Sequence, residues 1–324
     1  MSNITVRNLT HRYARAATAS VKDISFTVPA GSFCTFLGPN GAGKSTTISV
    51  LTTALAKTRG KIEIAGLNLD TQAEEIRSRI GIIFQNPSLD LDLSGEFNIR
   101  IHSSIYGLYP CAWSYARMPR EYKEKLRDLC AILQLEHKVL FAKVRSMSGG
   151  MRRKVEIMRA LIHNPEILFL DEPTQGLDPV SRQEVWYYLQ RVRKETGLTI
   201  FLTTHYLDEA EGADQIIVIK NGEIALNTTP KKWQQQLSTR QLRLVPFSKT
   251  EFEAALSRRL QEAKYLASGE VCLEVDSSQE AQEIIAYLRT QEVTLREFAL
   301  VEPSLEELYV DLVKDQPKSQ EVFS

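Results

Sequence analysis

Apolar and polar side chains alternate at the start of the chain. Ile4, Val6 and Leu9 repeat along residues 3–9, and Ile24, Phe26 and Val28 along 24–28. A period of two reads as half-buried strands, the first of them expected at a sheet edge. After the turn Pro29-Ala30-Gly31 the texture changes. Phe33-Cys34-Thr35-Phe36-Leu37 is a continuous apolar run, the mark of a strand covered on both faces. Ile80-Gly81-Ile82-Ile83-Phe84, Ile167-Leu168-Phe169-Leu170 and Leu198-Thr199-Ile200-Phe201-Leu202 repeat that texture. A further strand over 215–220 closes at the hairpin signal Asn221-Gly222. Between the strands lie helical spacings. Phe97, Ile101 and Ile105 recur every fourth position, Leu126, Leu129 and Leu133 form a second stripe, and Val155, Met158, Leu161 and Ile162 a third. A short strand at 60–66, a charged helix at 74–79 and a long helix at 180–196 complete the pattern. Strands alternating with helices predict an α/β protein with a mixed sheet whose parallel part is buried.

Residues 92–140 are predicted to be mostly helical, with an aromatic-rich insertion at 106–118 that carries Trp113 and Tyr115. These aromatics are read as packing within a small helical subdomain, with an exposed docking surface for a partner as the alternative. The character changes near 234–239. Leu242 and Leu244 alternate, Phe252, Leu256 and Leu260 have helical spacing, and Val271, Leu273 and Val275 alternate again. Ala281, Ile284, Ile285 and Leu288 form a helical stripe, Val293, Leu295 and Phe298 a third strand, and 304–313 a final helix. The expected organisation is therefore a first domain over 1–234, with its helical subdomain at about 92–164. A small α+β domain over 240–313 and a disordered tail over 315–324 follow.

Composition narrows the function classes. Lys and Arg number 40 and so do Asp and Glu, so the chain lacks the electrostatic footprint of a nucleic-acid or anionic-membrane binder. Cys34, Cys111, Cys130 and Cys272 are scattered with no C-x-x-C pair, against a zinc site or a disulfide framework. No apolar run approaches the roughly 20 residues of a spanning helix. The start, Met1-Ser2-Asn3-Ile4, has no signal-peptide pattern, and a cytoplasmic location is expected. If the protein works at a membrane, another chain supplies the membrane part.

The chemistry concentrates in Gly38-Pro39-Asn40-Gly41-Ala42-Gly43-Lys44-Ser45, which fits the P-loop pattern G-x-x-x-x-G-K-[ST] at every fixed position. A strand precedes it and a helix beginning near Thr46 follows. Glycines let successive N–H groups curl around one anion, and the helix N-terminus adds partial positive charge. Lys44 can reach the β- and γ-phosphates of ATP, and the Ser45 hydroxyl can ligate Mg²⁺. The apolar strand ending in Asp171-Glu172 supplies a carboxylate pair: Asp171 for the Mg²⁺ shell, Glu172 as general base for an attacking water. Gln85 and His205 each end an apolar strand, at the ligand edge of an open α/β sheet. Gln85 can contact Mg²⁺ or the water, and His205 the γ-phosphate. Ser148-Gly149-Gly150 opens a helix and makes a second anion site that a single nucleotide would not use.

The order of P-loop, Gln85, Ser148-Gly149-Gly150-Met151, Leu170-Asp171-Glu172-Pro173-Thr174, Gly176-Leu177-Asp178-Pro179 and Thr203-Thr204-His205 resembles the ATP-binding subunit of ABC transporters. The resemblance covers residues 4–227 and implies an ABC-type nucleotide-binding domain of the P-loop NTPase fold. It implies that Gln85 is the Q-loop glutamine, His205 the switch histidine, Asp178 the D-loop aspartate and Tyr13 the adenine-stacking aromatic. The stretch Met147-Ser148-Gly149-Gly150-Met151 takes the place of the signature motif, departing from its commonest form at Met147 and Met151. The resemblance also gives the second anion site a purpose. Two subunits, here expected as a homodimer, pair head-to-tail, and each signature caps the ATP on the other's P-loop. Glu172-Pro173-Thr174-Gln175-Gly176-Leu177-Asp178-Pro179 looks like the ABC-2 exporter subgroup of the daunorubicin-resistance or sodium-efflux type. More loosely, Glu302-Pro303-Ser304-Leu305-Glu306-Glu307-Leu308-Tyr309 resembles the end of that subgroup's C-terminal domain. An integral-membrane permease is then the implied partner, holding the chain peripherally at the inner face of the membrane. The alternatives are a soluble ABC ATPase outside transport and a P-loop kinase. The kinase leaves the signature and His205 without a role.

Overall fold

The computed structural model describes residues 2–86, 88–110, 112–236, 240–248, 252, 255, 264–265, 270–275, 277–301 and 305–314. The chain divides after Thr229 into two compact units. The short helix Pro230–Gln236, expected above mostly within the first domain, groups with the second.

In the first unit, β1 (Ser2–His11), β2 (Val21–Pro29), β4 (Arg59–Ile64) and β5 (Leu67–Asn68) form an antiparallel sheet in the order β2-β1-β4-β5. The first strand is thus interior, paired on both sides, and the expected edge position is corrected. Alternation reports which faces are buried, and it does not report how many neighbours a strand has. The second sheet holds β3 (Phe33–Leu37), β6 (Ile80–Ile83), β7 (Ile167–Asp171), β8 (Thr199–Thr204), β9 (Gln215–Lys220) and β10 (Glu223–Thr228). Its order is β10-β9-β3-β8-β7-β6, parallel from β6 to β9 and closed by the antiparallel β10. Asn221 and Gly222 both adopt positive φ (53° and 85°), as the two-residue hairpin turn between β9 and β10 requires.

Every residue of β3, β7 and β8 is buried, which accounts for their continuous apolar texture. One core joins both sheets with the helix α1 (Lys44–Leu51). Phe26 of the antiparallel sheet stacks on Phe201 at 6.0 Å and lies 5.8 Å from Phe36. Burying each such ring contributes about 1.5–3 kcal/mol. This shared core fixes the β3–α1 turn against the ends of β7 and β8.

The helices α2 (Ala73–Arg79), α3 (Gly95–Ile105), α4 (Arg120–Ile132), α5 (Gly149–Leu161), α6 (Pro179–Thr196) and α7 (Asp208–Glu211) complete the unit. Helix α3 corrects the sequence reading of its faces. Its buried side carries Glu96, Ile99, Arg100 and Ser103, while Phe97 and Ile101 are half-buried and Ile105 is exposed. The polar buried face is paired internally, apart from Arg100 Nε, which is buried without a hydrogen-bond partner. Arg100 pairs with Glu96 at 3.2 Å, Tyr122 of α4 donates to Glu96 at 3.1 Å, and Arg100 donates to the Ala112 carbonyl at 2.6 Å. The apolar stripe seen in the sequence therefore turns outward. In the insertion, Tyr106 stacks on His163 at 4.2 Å and Tyr115 hydrogen-bonds His137, but Trp113 stands 95% exposed. The packing reading thus describes Tyr106 and Tyr115, while Trp113 lies at the surface.

In the second unit α8 (Pro230–Gln236) precedes a sheet of β11 (Arg240–Pro246), β12 (Lys264–Tyr265), β13 (Val271–Val275) and β14 (Leu295–Val301), ordered β12-β13-β11-β14 and antiparallel. Helix α9 (Ser278–Thr290) buries Ala281, Ile284 and Leu288 in a core with Leu242, Leu244, Val271, Leu273 and Val275. Helix α10 (Leu305–Lys314) follows. The strand β12 adds to the expected three. The helix expected through Phe252, Leu256 and Leu260, and the tail 315–324, lie largely or wholly outside the described residues.

Candidate functional site

The turn between β3 and α1 is shaped by its glycines. Gly41 and Gly43 adopt positive φ of 79° and 109°. A Cβ at Gly43 would also lie 2.6 Å from the Ser20 carbonyl, so neither the conformation nor the space admits a side chain. No side chain caps α1, so its first N–H groups point outward at the head of the sheet. That arrangement suits a phosphate.

Lys44 is 4% exposed. Its Nζ donates to the carbonyls of Gly38 at 2.8 Å and Pro39 at 3.2 Å, and pairs with Glu172 Oε1 at 3.2 Å. Glu172 is also buried and adopts φ 45°, in the left-handed region. A non-glycine residue held there stores about 1–3 kcal/mol of backbone strain, a feature that clusters at working sites. Its N–H is anchored by the Thr203 carbonyl and hydroxyl, both at 3.1 Å. Its second oxygen, Oε2, lies 3.3 Å from His205 Nδ1, close enough for an ion pair, but the angle makes no hydrogen bond. Oε2 is thus a buried acceptor with free lone pairs.

Asp171, one residue earlier, accepts hydrogen bonds on Oδ1 from Thr203 at 2.5 Å and from Ser45 at 3.3 Å. Burial raises its carboxyl above the ordinary range, and the two hydroxyls pull in the other direction. Ser45 and Asp171 present hard oxygen donors side by side. Among the described residues no group of three His, Cys, Asp or Glu side chains forms a metal centre by itself. A cation at this position would complete its shell from phosphate oxygens and water.

The Tyr13 hydroxyl lies 3.2 Å from that of Thr46, the third residue of α1, and its half-exposed ring packs edge-on against His11 at 4.7 Å. Gln85 is exposed beyond β6, and its amide donates to Gln175 Oε1 at 2.5 Å. Ser148 caps α5 by accepting from the Met151 N–H at 3.2 Å. Asp178 caps α6, accepting from Ser181 N–H at 3.0 Å and Ser181 Oγ at 2.6 Å, bonds that hold its carboxyl below the usual range. A Cβ on Gly149 or Gly150 would contact Leu177 or Ser181, so the α5 and α6 N-termini adjoin. Among the described residues no hydrogen bond ties Ser148, Gly149, Gly150 or Asp178 to the β3–α1 turn. The structure thus gathers Tyr13, Thr46, Lys44, Ser45, Asp171, Glu172 and His205, and leaves the second anion site as a separate corner.

Several participants escape the sequence reading. Thr203 clamps Asp171 and Glu172 together, Gln175 holds Gln85, and Thr174 donates to the buried Glu209 of α7. Burial raises the Glu209 carboxyl as well. Nothing in their local sequence marks these side chains, and only their contacts single them out.

A glycine-built anion cradle at the head of a parallel sheet, with two acids at a neighbouring strand end, defines a P-loop nucleoside triphosphatase. The ABC transporter family model matches residues 21–175. The model described as "ATP-binding protein DrrA1-3-like, C-terminal domain" matches residues 229–313. The daunorubicin/doxorubicin resistance ATP-binding protein DrrA of Streptomyces peucetius is 35% identical over 301 residues, covering 91% of this chain and 88% of that protein. The Nod factor export ATP-binding protein I of Ralstonia nicotianae is 38% identical over 220 residues, covering 68% of this chain and 64% of that protein. Among solved structures, the dimeric post-hydrolysis state of the ATP-binding cassette MJ0796, bound to ADP and Pi, superposes with a TM-score of 0.61. It is 26% identical, covering 70% of this chain and 98% of that one. The chain belongs to the ABC transporter family of ATP-binding proteins, and it is an ATPase with a DrrA-like C-terminal domain. No helix among the described residues is long and apolar enough to cross a membrane.

Proposed function

We propose that this chain hydrolyses ATP to power export of a substrate through a separate integral-membrane permease, on whose cytoplasmic side it sits as a homodimer. The observation that carries the hydrolytic part is the line Lys44–Glu172–His205, with Glu172 Oε2 unbonded beside the phosphate cradle. In this reading the backbone of Gly38, Asn40, Gly41, Ala42, Gly43 and Thr46 cradles the phosphates, and Lys44 leaves the Gly38 and Pro39 carbonyls to meet them. Tyr13 stacks on adenine. Ser45 and Asp171, with Gln85, hold Mg²⁺, which neutralises phosphate charge when bound. Glu172 takes the proton of the attacking water, and His205 contacts the γ-phosphate. Ser148, Gly149, Gly150 and Asp178 act on the nucleotide of the other subunit. Their separation from the chain's own P-loop favours that division. The export name of the Nod factor relative and the resistance name of DrrA support the direction.

The test is co-purification of the tagged chain from membranes. A polytopic protein should accompany it in detergent, and free phosphate with no phosphorylated acceptor should be the product. Recovery only in complexes without a membrane chain would sink the transport reading and favour the soluble ABC ATPase.

Asp171→Asn tests the metal assignment. The variant should bind ATP in EDTA as the parent does, while the additional stabilisation given by Mg²⁺ disappears. Saturation to a hundred times Kd is worth about 2.7 kcal/mol, so the parent should gain several degrees in a melting curve and the variant about none. An undiminished Mg²⁺ increment would refute the assignment.

A further inference from the structure

His205 receives no hydrogen bond at Nδ1, although that atom is buried. Apart from the 3.3 Å contact with Glu172 itself, its position comes from packing. The neighbouring ring is Tyr206, at 4.0 Å between centroids with a 39° tilt. The same Tyr206 ring carries the Arg182 guanidinium, 4.0 Å from its centroid. A cation this close to a tyrosine face is held by the ring quadrupole.

Arg182 has few competing attachments. Its Nε is buried without a hydrogen-bond partner, and its ion contact with Asp208 is long, at 4.0 Å, to a carboxylate 79% exposed. Such an exposed pair contributes little. The backbone of Arg182 is fixed, because its N–H donates to the Asp178 carbonyl at 3.0 Å in the first turn of α6. Tyr206 is fixed too, its N–H donating to Thr204 Oγ1 at 2.9 Å. Arg182, Tyr206 and His205 thus form a chain of ring and cation contacts between two anchored backbones. It runs from the Asp178 cap to the Glu172 carboxylate.

We propose that Arg182 is a positioning residue for hydrolysis: through the ring of Tyr206 it holds His205 beside Glu172. The proposal rests on the reading of His205 as part of the hydrolytic site. It ties the start of α6, which carries Asp178, to the γ-phosphate end of the chain's own nucleotide site. A small displacement of a group that must meet a reacting phosphate costs rate far more than binding.

The experiment is a double-mutant cycle on the full-length chain, read as steady-state ATP hydrolysis. Arg182→Ala should lower kcat about tenfold to a hundredfold, with KM for ATP within about twofold. Arg182→Lys, which keeps a cation but loses the planar guanidinium, should recover part of that loss. His205→Ala should be slower still, and adding Arg182→Ala to it should change kcat by less than about twofold, because both act through one group. Should Arg182→Ala fold poorly, Tyr206→Phe and Tyr206→Leu replace it. The phenylalanine, which keeps the ring, should behave as the parent, and the leucine should show the kcat loss. Losses that multiply in the double mutant, or a rise in KM at unchanged kcat, would overturn the proposal alone. A parental rate in His205→Ala would overturn the role of His205 and the proposal with it.

Discussion

Glu172→Gln is expected to bind ATP with nearly parental affinity and to hydrolyse it about a thousandfold more slowly, within the range that a positioned general base contributes. Glutamine keeps the shape of the side chain and its bond potential toward Lys44, but it has no lone pair basic enough to take a proton from water. The buried Oε2 beside His205 is the atom whose chemistry disappears. Because the nucleotide then stays intact, the head-to-tail pair should accumulate. Light scattering with ATP should report the mass of two chains, and the same protein with ADP should report one. Normal turnover by the variant would show that Glu172 is not the base. A monomeric ATP complex with abolished turnover would spare the base and refute the pairing of subunits around two nucleotides.

Lys44→Ala should reduce ATP affinity by a hundredfold or more. In the proposed site the ammonium makes charge-assisted bonds to phosphate, each worth about 1.5–3 kcal/mol. Unchanged nucleotide affinity would refute the P-loop assignment. A second effect follows from the geometry without nucleotide. Lys44 and Glu172 are both nearly inaccessible and 3.2 Å apart, so removing the lysine strands a buried carboxylate. Breaking one side of a buried pair costs about 3–5 kcal/mol, which lowers the melting temperature of a unit of this size by roughly 10 °C. The double variant Lys44→Met with Glu172→Gln removes both charges. It should melt close to the parent while remaining unable to bind ATP or turn it over. Calorimetry on the three proteins separates the two roles of the lysine.

The residues that announce the active site do so because their backbone chemistry is local. Glycines at 41 and 43 are required by positive φ, Asp178 and Pro179 open α6 as cap and first residue, and Gly197 closes it in the left-handed conformation. Spacing along the chain therefore sufficed to identify the P-loop pattern, the acidic strand end, the helix over 180–196 and the hairpin at Asn221-Gly222. It also sufficed for the α/β order of the first unit and, in the second, for the strands β11, β13 and β14 and the helices α9 and α10.

Other features depend on which distant segments meet. The outward turn of Phe97, Ile101 and Ile105 followed from an ion pair, Glu96–Arg100, that packs against Tyr122 from another helix. Hydrophobic spacing marks an apolar stripe, and it does not say whether a paired polar face will displace that stripe from the core. Likewise β1 reads as a strand from its alternation alone, yet its interior position depends on pairing with β4, which lies beyond the P-loop in sequence.

The shape of the P-loop was legible residue by residue, since a cradle of main-chain N–H groups is set by neighbouring φ and ψ. The placement of Glu172 against both Lys44 and His205, the clamp from Thr203, and the contact of Arg182 with Tyr206 were decided only by the fold. Each joins side chains from strand ends and helices far apart in sequence, and no local propensity carries the distance between them.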